Sequence, residues 1–234
     1  MKDLEYEYFD HLFPTRSDSL SLTKETECSL CMEKGKGEEF NFIGKDIVWG
    51  NGKHDAEVMV IGRDSAGANP AERLWKASKC TFMPLTNKNT GAKFRIFLCK
   101  AKINPFSVFI TNAVKCNNGY DKYEKATRYE KKKLFKSYSN VCKILLEKEI
   151  QLLKAKLKAI IILGDDIKEL LNVKPIQEFS EYNWERSQLI SGSLPFMGEF
   201  PSGFQAIIFC LYHPSRIDEG KYLTNLKIIA NLIS

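Results

Sequence analysis

An α/β fold, a parallel sheet with helices on both faces, is what this 234-residue sequence predicts. Three observations carry that expectation. Four short apolar runs, Val58-Met59-Val60-Ile61, Val108-Phe109-Ile110-Thr111, Ala159–Leu163 and residues 206–211, are rich in β-branched residues. Their continuous hydrophobicity is that of strands buried on both faces. Segments with helical apolar spacing separate them, as expected of parallel strands joined by crossovers. Each run also ends in polar residues, at Gly62-Arg63-Asp64-Ser65-Ala66-Gly67, Asn112, Asp165 and His213. In a parallel sheet those ends share one edge, and open α/β sheets bind ligands just beyond it. The expected architecture is a single domain with a four-stranded parallel sheet sandwiched by helices.

Taken in order, residues 1–27 are polar and mixed and are expected to form an extension packed on a core spanning 28–234. Cys28-Ser29-Leu30-Cys31 is a lone CxxC, open to a redox pair, half of a metal site or coincidence. No second CxxC exists, which disfavours a zinc ribbon. Residues 34–53, rich in Gly, Asn and charge, read as loop with one short strand at most. The turn around Asp64 is, by itself, compatible with a polar loop that caps the next helix. A helix is expected over 71–79, because Pro70 suits a first helical position and Glu72 the first turn. Phe82 to Asn87 is loop, and 91–102 a helix with Phe94, Phe97 and Leu98 on one face.

Beyond the second strand, residues 117–123 read as loop. Residues 129–157 form one long amphipathic helix or a pair, with Leu134, Tyr138, Val141, Leu145, Leu146, Ile150, Leu153 and Leu157 near helical spacing. Asp165 and Asp166 are expected to cap a helix over 167–171. A stretch punctuated by Gly, Ser and Pro leads to Gly203, and the last helix covers 222–232.

Composition narrows the class. Hydrophobic content of 44% and charged content of 27% are those of an ordinary soluble domain. No apolar run approaches the ~20 residues that cross a bilayer, so no membrane partner is expected. The first residues, MKDLEYEYFDHLF, are acidic and aromatic, unlike a signal peptide. A cytoplasmic location is therefore expected, where seven cysteines serve as thiols or metal ligands rather than disulfides. A net charge of +6 permits a polyanionic partner without requiring one. Eight Lys and Arg lie between Lys115 and Lys136, against Asp121, Glu124 and Glu130. Such a run is ordinarily a solvated helix face, and duplex binding would betray itself by salt dependence.

Strand-GRDSAG, strand-TNAVKC, strand-LGDD and strand-HPS, in this order, resemble the uracil-DNA glycosylase superfamily. Cys28-x2-Cys31 followed by Cys116 and Cys142 narrows the resemblance to its iron–sulfur, family 4-like branch. The resemblance implies a monomeric, monofunctional DNA glycosylase that flips a base from the duplex and hydrolyses its N-glycosidic bond. Asp64 and His213 would be catalytic, Asp64 orienting water and facing the cationic sugar, His213 donating to the departing base. Asn112 would read the pyrimidine edge, a task suited to an amide that offers donor and acceptor. Gly62, Arg63, Ser65 and Ala66 would line the base pocket and Phe82 would stack on the base, with Leu85 second. Ser215, Arg216 and Ile217 would line the DNA. Cys28, Cys31, Cys116 and Cys142 would hold a structural [4Fe-4S] cluster, zinc being the competing occupant.

Departures from the family pattern sharpen the expectation. Family 4 has Glu where Arg63 stands, and the Asp sits one place later, as in the Gly-Gln-Asp-Pro-Tyr of family 1. The Pro and Tyr of that pattern are Ser65 and Ala66 here. Ala66 removes a steric filter at C5 of the base. The substrate expected is uracil or a larger 5-modified pyrimidine, including modified cytosines of phage DNA, whose excision serves antiviral defence. The Cys116–Cys142 gap of 25 residues exceeds the family's usual spacing. The alternative is a catalytically inactive nucleic-acid-binding module that retains the fold, made credible by Arg63 and Ser65.

Overall fold

The computed structural model describes residues 50, 52, 55–63, 90–104, 108–115, 127–214 and 217–234, with the backbone of two short strands at 27–28 and 45–46. Those two strands, β1 (Glu27–Cys28) and β2 (Lys45–Asp46), pair antiparallel. The expected extension at 1–27 and the expected helix over 71–79 lie outside the described residues, save for Glu27 in β1.

Among the described residues the central sheet has six strands, not four: β3 (Val58–Gly62), β4 (Val108–Asn112), β5 (Ala159–Leu163), β6 (Lys174–Glu178), β7 (Phe196–Glu199) and β8 (Gln205–Leu211). Their order is β4-β3-β5-β8-β7-β6. The four strands expected from sequence are present and parallel. The correction is the antiparallel pair β7 and β6 added beyond β8. Lys174-Pro175-Ile176-Gln177-Glu178 is exposed throughout and holds a proline, which edge strands tolerate. Phe196-Met197-Gly198-Glu199 is short and interrupted by Gly. Neither carries an apolar run or a clean alternation, so the strand signal is missing from their sequence.

Helices α1 (Thr90–Lys100), α2 (Arg128–Leu153), α3 (Asp165–Lys168) and α4 (Glu219–Ile233) cover the sheet. The central strands are buried at every position, and their side chains divide by alternation between two cores. Met59, Ile61, Phe109, Ile160, Ile162 and Ile208 join Phe135, Leu146, Ile150 and Leu153 of α2. Val58, Val60, Ile110, Ile161, Phe209 and Leu211 join Phe94 and Leu98 of α1 and Tyr222, Leu226 and Ile229 of α4. Each fully buried Ile, Leu or Phe contributes about 1.5–3 kcal/mol.

Helix α2 is a single helix opened by a capping box. Thr127 Oγ1 accepts from the Glu130 amide at 3.3 Å, and the Glu130 carboxylate accepts from the Thr127 amide at 2.7 Å. Helix α4 is capped by Asp218, which accepts from the Lys221 amide. Asp165 and Asp166 do not stand at the cap position of α3. They are its first two residues, and Gly164 takes the cap position with φ of 142°.

The strap at Gly50 and Gly52 lies tight against β4. A Cβ on Gly50 would fall 2.1 Å from the Phe109 ring, and one on Gly52 2.6 Å from the Phe109 backbone. Gly52 also has φ of 149°, a conformation that L side chains rarely adopt.

Candidate active site at the carboxyl edge of the sheet

Parallel pairing brings the strand ends together. Gly62 and Asn112 are register partners at the ends of β3 and β4. Beyond them the chains stay joined, Ala113 N donating to Gly62 O at 2.9 Å and Val114 N to Arg63 O at 3.0 Å. Leu163 and Leu211 end β5 and β8 in register with each other. The turns that follow β3, β4, β5 and β8 therefore open on one edge.

Asn112 continues the alternation of Val108 and Ile110 on the α1 and α4 face. It is 2% exposed, and its Oδ1 is buried without a hydrogen-bond partner among the described residues. An orphaned buried acceptor costs roughly 1–3 kcal/mol, so this oxygen is poised for a donor. His213 follows β8 by two residues and is half-buried. β3 and β5 lie between its strand and that of Asn112, which sets the two strand ends about 14 Å apart at the usual spacing.

Arg63 takes a different direction. Its Nη2 donates to the Lys131 carbonyl at 3.2 Å, and its guanidinium lies 4.5 Å from the Phe135 ring centroid. Arg63 thus engages α2, on the face opposite Asn112. Ile217 is half-buried against the α1 and α4 core. Asp64, Ser65, Ala66, Phe82, Leu85, Ser215 and Arg216 lie outside the described residues, as do Cys31 and Cys116. Of Cys28 only the backbone pairing with Lys45 is described. Cys142 is buried on α2. Among the described residues no three metal-ligating side chains gather.

A buried polar network behind the edge went unread in the sequence. Lys115 Nζ donates to Glu149 Oε2 and to Thr111 Oγ1, with both charged side chains at most 2% exposed. Glu149 Oε1 also accepts from Gly50 N at 2.7 Å. Burial lowers the Lys115 pKa, opposed by the Glu149 carboxylate and by Cys142 nearby. The signal was available: Glu149 sits among Leu145, Leu146, Ile150 and Leu153 on the apolar stripe of α2, where a carboxylate needs a partner. Gln188 is a further buried polar residue near the edge. Its backbone carbonyl accepts from Tyr212 N, beside His213.

A cavity of about 410 Å³ lined by Leu146, Ile150, Leu171 and Phe200 opens by the β7–β8 turn, at the amino edge of the sheet. It does not belong to this site. No curated protein matches the chain. A family model described as the uracil DNA glycosylase superfamily matches residues 49–232.

Proposed function

Because the chain belongs to the uracil-DNA glycosylase superfamily, we propose that it excises a pyrimidine from DNA and leaves an abasic site. The observation that carries this reading is the buried, unpartnered Oδ1 of Asn112 at the carboxyl edge. The N3–H of a flipped uracil-type base is the donor it lacks, and the rest of the amide can donate to O4. Asp64 orients the attacking water and offsets the positive charge that develops on the sugar. As the N1–C1′ bonding pair leaves with the base, the oxygen of water bonds to C1′ and gives up a proton to Asp64, and His213 stabilises the charge on O2. Ala66 leaves room at C5, which extends the substrates to larger 5-modified pyrimidines, the modified cytosines of phage DNA among them, on whose edge the amide turns over to accept from N4–H and donate to N3.

Cys28, Cys31, Cys116 and Cys142 would hold a [4Fe-4S] cluster, which supplies a rigid anchor between segments distant in sequence. Supporting the fit, Cys142 lies within electrostatic reach of Lys115, the neighbour of Cys116. Iron and acid-labile sulfide, measured against zinc in anaerobically isolated protein, identify the occupant.

The deciding experiment is an abasic-site assay on duplexes holding uracil, thymine opposite guanine, hypoxanthine, 5-hydroxymethylcytosine or its glucosylated form. Excision is expected, and His213→Ala should lower its rate about 10²–10³-fold, with a comparable loss in Asp64→Asn. Asn112→Ala should lower kcat/KM while leaving Tm unchanged or raised, since it deletes an orphaned polar group. Binding of every duplex without excision would assign the chain to the non-catalytic class, and full activity in all three variants would refute the site.

A further inference from the structure

The exposed face of α2 is charged in a way that helix stability does not explain. Residues 128–136 hold Arg128, Lys131, Lys132, Lys133 and Lys136 against the single carboxylate Glu130. Farther along, the exposed side of the helix holds Lys143 and Lys148 with Glu147, while Glu149 is taken up in the buried pair with Lys115. Cations gather at the amino-terminal half, where the positive end of the helix dipole repels them and acidic residues are favoured. A face meant only to keep the helix soluble would place them at the other end.

Spacing turns this charge into a surface. Tyr129, Lys132, Lys133, Lys136 and Asn140 follow the i, i+3, i+4, i+7, i+11 pattern of one helix face, and all five are exposed, Tyr129 by 78%. Along it, Glu169 lies 3.4 Å from Lys136 in an exposed pair. Such a pair is worth little and exchanges readily. The stripe from Tyr129 to Asn140 is about 16 Å long at the helical rise, the span of several phosphates along one strand.

Its foot stands at the site. Arg63, directly after the Gly62 that pairs with Asn112, donates to the Lys131 carbonyl and packs on Phe135, the next turn of the same helix. We propose that this face of α2 is a phosphate-binding rail, carrying the backbone of the duplex beside the flipped nucleotide through Lys132, Lys133 and Lys136. The identity of the partner rests on the glycosylase reading above.

The test is fluorescence anisotropy of the full chain on a duplex with a tetrahydrofuran abasic-site analogue, titrated across KCl concentrations. Each phosphate contact adds about 0.9 to the slope of log K against log salt. The variant Lys132→Gln/Lys133→Gln/Lys136→Gln should lower the slope by about 2–3. A control of equal charge loss at the amino edge, Lys154→Gln/Lys156→Gln/Lys174→Gln, should leave it unchanged. An unchanged slope in the α2 variant overturns the rail, and so does an equal drop in both variants, which would reflect net charge alone. Wild-type protein that binds anionic phospholipid vesicles but no duplex also overturns it. Salt-dependent binding without base excision keeps the rail and sinks only the glycosylase reading.

Discussion

Lys115 and Glu149 form an ion pair taken wholly out of water, with Thr111 and the Gly50 amide supplying further hydrogen bonds. Removing one partner of such a pair costs about 3–5 kcal/mol, because the other charge is stranded. Lys115→Met alone is therefore expected to destabilise the chain by that amount in urea unfolding. Lys115→Met with Glu149→Leu should recover most of the loss, and a double variant no better than the single one would show that the charges themselves hold the fold. Individual residues also mark where sequence reading stops. The places of Asn112 and His213 at strand ends were legible because one closes and the other follows an unmistakable apolar strand. The direction of Arg63 was not, because its partners Lys131 and Phe135 are about seventy residues away in the chain. Lys115 read as one more lysine, although Ala113 and Val114 before it are fully buried.

Elements were legible in proportion to how much they bury. The four parallel strands announce themselves because a strand covered on both faces carries a nearly unbroken apolar run, as Val58–Ile61, Val108–Ile110, Ala159–Leu163 and Ala206–Leu211 do. Helix α2 was read to within a residue at its start, though its end falls at Leu153 rather than 157 because the chain must turn into β5. The strands β6 and β7 bury little or are interrupted by glycine, and β1 and β2 are too short to carry a period. The start of α4 lay three residues early, at Glu219, because Asp218 supplies a cap that hydrophobic spacing does not reveal. Helix α2 makes its own prediction. Hydrogen bonds from the Thr127 hydroxyl and amide hold the exposed Glu130 carboxyl below its ordinary value of 4.5. A carboxyl depressed on folding adds stability above its unfolded pKa, and that contribution disappears as pH falls through the folded one. Amide exchange in the first turn of α2 should thus be slower in wild type than in Glu130→Gln at neutral pH. The difference should close below about pH 4.5.

Across the whole molecule, long-range contacts decide the architecture: β4 is an edge of the sheet, and its neighbour β3 comes earlier in the chain. The strap at Gly50 and Gly52 closes on that edge and reaches Glu149 of α2. A methyl group at Gly52 meets both the Phe109 backbone and a forbidden φ. Gly52→Ala should lower the unfolding free energy by about 1–3 kcal/mol, read from denaturant midpoints, and an unchanged midpoint would mean that the strap does not grip β4. The opposite edge, β6, is guarded by its own residues. Pro175 has no amide to offer, the register slips between Pro175 and Gln177, and Lys174 and Glu178 put charge at its two ends. Proteins that crowd along one polyanion meet copies of themselves at close range. A rim that cannot template another strand lets such neighbours pass, collide and part without knitting into a ribbon.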